Sequence, residues 1–308
     1  MTNAPPTTRY SRKKLSRKRI AAEAVFKRLG VLERLFFRAN NAIQIARYEI
    51  ADAKIPSSFD GYLLAQVSDL HGKLFEPRNE PLLAALQESR PDAILVTGDL
   101  FDERHPNDVE AREFLERAKE IATVYYITGN HESNLDYASA GKALALVEAS
   151  GAIFLDGKVC ELSPRGDADR DDRIRLYGVA DPPCEEDFFE GVDARLDAME
   201  GTRDRTRFEI LLAHRPEGIA RYAARGYDLV FSGHAHGGQF RFPLLCPEGL
   251  FAPGQGWFPR YTAGIHEMEK TREIVSRGLG SSVIPTRLFN RPELVLCALR
   301  SRKDICQR

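Results

Sequence analysis

Residues 92–102, DAILVTGDLFD, run an unbroken apolar stretch directly into a glycine and two aspartates. Ala93 to Val96 carry no polar break, so they read as a strand buried on both faces, as in a parallel sheet covered by helices. Thr97 to Asp102 then form a polar turn. The same form recurs on either side. YLLAQVSD (62–69) and TVYYITGN (123–130) are strands of this kind, and EPLLAALQES (80–89) and DVEAREFLERAKEI (108–121) between them have helical spacing. LDYASAGKALALVEAS (135–150) is a further helix. AIFL, KVCEL, RIRLYGVA, FEILLAH, YDLVFSGH and PELVLCALR supply more strands. This alternation predicts an α/β fold. There are no internal repeats, and the spacing is too continuous to mark a second domain.

The chain has 308 residues, 43% apolar and 29% charged, which is ordinary for a soluble protein with a large core. Its five cysteines, at 160, 184, 246, 297 and 306, form no CxxC pair and no even framework. That argues against a zinc knuckle or a disulfide scaffold and fits reduced thiols in the cytosol. No apolar run approaches the roughly 20 residues of a membrane helix. The basic start is not followed by an apolar segment of a secretory signal. The expected location is cytoplasmic, with peripheral attachment to the inner membrane face.

That attachment is suggested by charge. Residues 1–38 hold 11 Lys or Arg against Glu23 and Glu33, a net +9, whereas the remainder holds 33 basic and 43 acidic residues, a net −10. A basic arm over 1–45 is therefore set apart from an acidic body over 46–308. Residues 1 to about 16 are expected to be disordered. From 17 to 46, Val25, Leu29, Leu32, Phe36 and Ile43 fall at helical spacing, with Lys27, Arg34 and Arg38 on another face. A basic amphipathic segment of this kind suits an anionic membrane surface. Packing of the helix on the body is the competing expectation, and an Arg-rich start also resembles a transit peptide. Nucleic acid is disfavoured as a partner, since the arm lacks regular aromatic interleaving and the body is acidic. The segment YEIADAKIP (48–56) reads as an edge strand ended by Pro56.

Five strands stop at polar turns: SDLH (68–71), TGDLFD (97–102), TGNHE (128–132), AHRPE (213–217) and SGHAH (232–236). Sites in open α/β sheets form outside the carboxyl ends of the strands. Five of the seven histidines lie in these turns, namely His71, His131, His214, His234 and His236; His105 and His266 lie elsewhere. Asp, His and Asn supply oxygen and nitrogen ligands, and no cysteine falls in any turn, so a thiolate site is excluded. There are too many ligands for one catalytic metal, which commonly takes three protein ligands and water. Two metals about 3.5–4 Å apart would use them all.

The ordered series D-x-H, G-D-x-x-D, G-N-H-E, strand-end His and G-H-x-H resembles the calcineurin-like metallophosphoesterase superfamily over residues of about 46 to 300. GHAHGGQ, APGQGWFPRYTAG and GLGSSVIPTRLFNRPE look like the bacterial branch typified by the YkuE and YaeI phosphodiesterases. The lipid A branch that hydrolyses UDP-diacylglucosamine is related. The resemblance implies two mixed β-sheets packed face to face with helices outside, a four-layer α/β/β/α arrangement. It implies that Asp69, His71 and His236 hold a first metal, that Asn130, His214 and His234 hold a second, and that Asp99 bridges them. His131 would face the phosphate and stabilise charge or protonate the leaving oxygen, and Asp102 would orient a ligand. A hydroxide between the metals would attack phosphorus in line. Mn, Fe and Zn all suit the ligand set.

Gly278, Gly280, Ser281 and Arg287 have two readings, a phosphate nest with a cationic clamp or a structural loop before the last strand. The expected activity is hydrolysis of a phosphodiester or pyrophosphate, with a lipid-linked substrate at the inner membrane face favoured. A soluble nucleotide phosphodiesterase is the first alternative, and a non-catalytic interaction module on the same fold is the second. Metal content and liposome binding separate these readings. Substrate choice is expected to reside in loops 72–79, 103–108, 180–190 and 240–260.

Overall fold

The structure, a computed structural model, describes residues 41–103, 108–166, 172–183, 187–242, 244–281 and 287–302. The arm expectation over residues 1–40 lies outside the described residues, as does His105.

The apolar runs form the strands they predict. In the first sheet β1 (Gln44–Asp52), β14 (Glu293–Ser301), β2 (Leu63–Val67), β3 (Ala93–Thr97), β4 (Thr123–Ile127) and β5 (Ile153–Phe154) lie side by side in that order. β2 through β5 are parallel, β14 runs antiparallel to β2, and β1 is parallel to β14. The second sheet runs β12 (Gly264–Met268), β13 (Thr271–Val275), β9 (Leu229–Ser232), β8 (Glu209–Ala213), β7 (Ile174–Val179) and β6 (Lys158–Leu162). Its inner four strands are parallel, and β12 and β6 close its edges antiparallel. A small hairpin of β10 (Phe251–Ala252) and β11 (Gly256–Trp257) forms a sheet of its own.

The period of two sorts each strand's side chains into two cores. Ala93 and Leu95 of β3 face Leu176, Ile210, Leu212 and Phe231 of the second sheet, in a core between the sheets. Ile94 and Val96 face the other way, onto α1 (Glu80–Ser89), α2 (Asp108–Ile121) and α4 (Tyr137–Ser150) through Leu82, Phe114, Leu115 and Val147. The single turn α3 (Asn130–Ser133) follows β4 directly. A third core packs α5 (Phe188–Glu200) and α6 (Ile219–Ala224) on the outer face of the second sheet through Leu196, Met199 and Tyr222. The layers are therefore α/β/β/α, as the resemblance implies.

Two readings are corrected. The expected helix through residue 46 ends earlier, because Gln44 to Asp52 pair with Glu293 to Ser301 along their whole length. Nine consecutive strand pairings outweigh a local helical spacing that only Ile43 extends this far. The edge position of this strand is as expected. Secondly, α3, α5, α6 and β10 through β13 fall where the sequence predicts no element. α5 is opened by the Asp187 carboxylate, which accepts from the N–H groups of Phe189 and Glu190.

Candidate metal centre

The turns after β2, β3 and β4 in one sheet meet those after β8 and β9 in the other. The sheets are tied there by Gln66, whose Nε2 donates to Thr97 Oγ1 (3.0 Å) and to Ser232 O (2.8 Å). The turns bond to one another: Asp69 N to Gly98 O (3.0 Å), His71 N to Asp99 O (2.9 Å) and Gly233 N to His214 O (2.9 Å). Each polar side chain at a strand end is thus held against the next.

Five of these side chains stand on left-handed backbone, with φ of 52° at Asp69, 49° at His71, 52° at Asp99, 62° at His234 and 48° at His236. Non-glycine residues in this region are uncommon and cost on the order of 1–3 kcal/mol each. Such concentration at one point marks a functional constraint.

The donor atoms face inward in two clusters sharing one carboxylate. In the first, His71 Nε2 lies 3.1 Å from His236 Nε2 and 3.6 Å from Asp99 Oδ2, and His236 Nε2 lies 3.6 Å from Asp69 Oδ1. In the second, His214 Nε2 lies 3.2 Å from Asn130 Oδ1, 3.2 Å from His234 Nδ1 and 3.3 Å from Asp99 Oδ2. Around an ion with bonds of about 2.0–2.2 Å, neighbouring ligand atoms stand roughly 3.0–3.5 Å apart. Asp69, His71, Asp99 and His236 bring ligand atoms within 4.8 Å of one another as one group, and Asp99, His214 and His234 do so as another, close to that spacing. His234 Nε2 is buried without a hydrogen-bond partner. The donor set fits two transition-metal ions with Asp99 between them.

Electrostatics support the fit. Burial drives the His234 and His236 rings well below the usual histidine range, so both present neutral lone pairs. Burial alone would raise Asp99, but His214 and His71 outweigh it and hold the carboxyl well below its ordinary range. His214 answers in the opposite sense: burial lowers it, yet Asp99 and Asp69 push it up to about 10. His214 Nδ1 is 2.8 Å from Thr97 O, which fixes the ring and aims Nε2 at the centre.

His131 stands at the rim, edge-on to His71 with ring centroids 4.4 Å apart. Asp102 Oδ2 lies 3.4 Å from its Nδ1 and 3.6 Å from His71 Nδ1, so one carboxylate orients both rings. Burial lowers the His131 pKa, but Asp102, Asp99 and Glu103 outweigh it and the net direction is up.

The described residues Gly278, Gly280 and Arg287 are each engaged with neighbouring parts of the chain. The Arg287 guanidinium is buried and donates to Arg277 O (2.7 Å) and Gly280 O (2.9 Å), with Nη2 3.3 Å from His236 Nδ1. It props the loop behind His236 and does not present a clamp to solvent. Gly280 N donates to Asp69 O and Gly278 N to Ser276 Oγ, so neither N–H opens into a nest. Both glycines serve close approach: a Cβ at Gly280 would meet Leu70 O at 2.1 Å, and one at Gly278 would meet Asp69 Cβ at 2.7 Å. His266, half-buried on β12, lies 3.1 Å from Ala263 O through Nε2 and packs edge-on to Tyr261.

Sequence reasoning missed two residues that lock the site. The buried Glu132 carboxylate accepts from the N–H groups of Asp99 (2.9 Å), Phe101 (2.9 Å) and Gly129 (2.8 Å), joining two turns. Asn290 Nδ2 donates to His236 O (2.7 Å) and Gln239 O (3.1 Å). Glu132 stood in the G-N-H-E turn, but its partners are backbone groups that no side-chain pattern advertises.

Strand-end turns from two sheets, converging on paired nitrogen and oxygen clusters about one shared carboxylate, define a dinuclear metal-dependent hydrolase. The calcineurin-like phosphoesterase family profile matches residues 62–238, and the chain belongs to that family. It is a metal-dependent phosphoric ester hydrolase. It is 28% identical over 267 residues to the metallophosphoesterase YkuE of Bacillus subtilis (strain 168), spanning 84% of this chain and 86% of that one. It is 27% identical over 237 residues to the phosphodiesterase YaeI of Escherichia coli (strain K12), spanning 76% and 80%. Among solved structures, TT1561 of Thermus thermophilus is similar with a TM-score of 0.48 at 14% identity, over 70% of this chain and 89% of that one.

Proposed function

We propose that the chain hydrolyses a phosphodiester or pyrophosphate, with Asp69, His71 and His236 holding one metal ion, Asn130, His214 and His234 a second, and Asp99 shared between them. The observation that carries this reading is Asp99 Oδ2, 3.6 Å from His71 Nε2 on one side and 3.3 Å from His214 Nε2 on the other. The ions, as Mn, Fe or Zn, supply charge neutralisation at phosphorus and a water of lowered pKa. The chain's own residues position and donate. The His131 N–H accepted by Asp99 Oδ1 (2.8 Å) sets the carboxylate so that Oδ2 faces the cluster. The His131 ring, whose Nδ1 lies 3.4 Å from Asp102 Oδ2, is oriented by that carboxylate and turns toward the rim, where it protonates the leaving oxygen.

The favoured substrate is lipid-linked and taken at a membrane face. The +9 arm supports this, since it is suited to an anionic surface. Among the described residues no helix is long and apolar enough to cross a membrane. The relative named a phosphodiesterase supports diester hydrolysis.

The test separates ligand from acid. His131→Ala should retain both ions on elemental analysis yet lose roughly 10²–10⁴ in turnover, most for poor leaving groups. Asp99→Ala should lose the ions. An ion-free His131→Ala beside a loaded Asp99→Ala would reverse the assignment.

A further inference from the structure

Five large apolar side chains stand in the open beside the metal centre. Leu244 is 98% exposed, Leu245 86%, Phe258 72%, Trp257 69% and Phe289 57%. They belong to one hydrogen-bonded loop system built on the backbone that follows His236. Leu250 N donates to Gly238 O (2.9 Å), Phe258 N to Leu250 O (2.9 Å), and Arg241 N to Leu288 O (2.9 Å). A tight turn from Phe242 to Cys246 carries the two leucines, and the Phe242 ring meets Phe289 edge-on at 6.1 Å. Phe289 adjoins Asn290, which holds His236 O. Whatever covers these side chains therefore sits beside the reacting centre.

The exposure is built into the backbone. Phe258 and Phe289 have φ of 55° and 52°, a region that bulky residues avoid unless the surroundings impose it. An apolar side chain turned into water at a conformational cost marks a contact surface.

Charge identifies the occupant. Arg260 and Arg291 are exposed beside the aromatics. Arg291 Nε donates to Ala42 O (3.0 Å) and Nη2 to Ile43 O (3.4 Å). The chain thus enters the described body two residues from Phe289, and the segment before that point carries the net +9. Protruding Leu, Phe and Trp flanked by arginines, in a chain whose sequence before Ala42 carries a strong net positive charge, match the interfacial zone of an anionic bilayer.

We infer that the loop system carrying Leu244, Leu245, Trp257, Phe258 and Phe289 is a membrane-docking surface that inserts into anionic phospholipid beside the metal centre. This rests on the lipid-linked reading above for its purpose, but docking is measurable without turnover.

Trp257 is the only tryptophan of the chain, so its fluorescence reports on this loop alone. The metal-loaded full chain is mixed with vesicles of phosphatidylcholine containing phosphatidylglycerol, and with phosphatidylcholine alone. Anionic vesicles should shift Trp257 emission to the blue, and brominated lipid should quench it. The double variant L244E/L245E should weaken vesicle partitioning at least tenfold, on the order of 1.4 kcal/mol. Melting and turnover of a soluble chromogenic diester should be unchanged, because both leucines project into solvent.

Emission that ignores anionic vesicles at low salt would overturn the inference. So would emission already blue without lipid, either in a monomer, where the chain covers its own loops, or in a dimer, where a second copy does. Vesicle binding unaffected by L244E/L245E would assign docking to the arm alone and also overturn it. Turnover of a lipid-linked pyrophosphate in detergent micelles separates the two claims. Micellar turnover without vesicle binding discards docking and keeps the substrate reading, whereas vesicle insertion without micellar turnover does the reverse.

Discussion

Gly129→Ala tests the metal centre through a single methyl group. Gly129 precedes Asn130 and has φ of −103° and ψ of −167°, which alanine adopts freely, so backbone strain does not confuse the result. A Cβ there would stand 2.3 Å from Asp99 Oδ1, 2.7 Å from His214 Cε1 and 2.8 Å from Asp99 N. Asp99 Oδ1 would need to retreat by about 0.7 Å to reach a 3.0 Å contact and by about 1.1 Å to reach 3.4 Å, against a tolerance near 0.2 Å in metal–ligand distance. Asp99 cannot yield cheaply, because its backbone N–H is held by Glu132 and its Oδ1 accepts from His131 N. The shared carboxylate therefore moves or rotates, and both clusters lose geometry together. After loading with Mn²⁺ and gel filtration, wild-type protein should retain about two ions per chain and Gly129→Ala fewer than about one. Overpacking adds roughly 1–3 kcal/mol of destabilisation. Gly141→Ala is the control: it lies exposed in α4 with nothing within 4 Å of the new Cβ, and should gain about 0.5–1 kcal/mol by calorimetry while keeping its ions. A Gly129→Ala protein that retains both ions with wild-type affinity would refute this account of the site.

Metal loading should also release protons. His214, pushed up to about 10, is charged at neutral pH without metal and must become neutral to bind, whereas His234 and His236 are already neutral. Calorimetric titration in buffers of different ionisation enthalpy should show net proton release near pH 7, from His214 and from the Asp69 carboxyl that burial pushes up, with affinity falling as pH falls; no release would contradict it. A further prediction concerns the buried pair Arg203–Glu209. Glu209 accepts from Tyr177 OH (2.8 Å), Asp204 N (3.0 Å) and Arg203 Nε (2.8 Å), and the Arg203 guanidinium lies 3.7 Å over Tyr227. Glu209→Gln leaves that buried cation with only the exposed Glu200, at 3.9 Å, and should cost about 3 kcal/mol by denaturant unfolding. Burial would raise the Glu209 pKa, but Arg203 and the N–H of Asp204 outweigh it and the net direction is down. Its contribution is thus present above the unfolded value near 4.3 and is lost as pH falls below it, so Glu209→Gln should flatten the loss of stability in that acid window.

The parallel core strands were legible because burial on both faces leaves a continuous apolar run, as in Ala93 to Val96. Helices α1 and α2 are legible to the residue, since Glu80 and Asp108 begin them and their apolar stripes are regular. The segments that failed lack such marks. β12 and β13, GIHEM and TREIV, are short and break their apolar residues with Glu267, Arg272 and Glu273, and Gly264 and Glu269 sit on left-handed backbone that no propensity scale favours. Local spacing extends a helix into the start of the strand Gln44–Asp52 because the strand's pairing partner lies some 250 positions away in the sequence. At the site, residue types and order placed Asp69, His71, Asp99, Asn130, His214, His234 and His236 at converging strand ends. What they could not place was the supporting set, because Glu132, Asn290 and Arg287 act chiefly on backbone atoms, and Arg287 reads equally well as a phosphate clamp until its carbonyl partners are seen.

The same distinction explains why the centre departs from local rules where it does. Asp69, His71, Asp99, His234 and His236 each hold a conformation their residue type disfavours, and each is buried. Asp69 and Glu132 are pushed up by burial, while Asp99 stays charged only through His214 and His71. A chain without use for this arrangement would relieve it by placing glycine at the left-handed positions and apolar side chains at the carboxylates. The sheets instead hold the turns under strain, through Gln66 across the two sheets and Glu132 across the two turns. Ligands that bind only the folded state offset such costs by mass action, about 2.7 kcal/mol at a hundredfold excess over Kd. The strain is therefore located where cations return the most, at the carboxylate two clusters share, and the fold's large cores supply the stability that keeps the site assembled before they arrive.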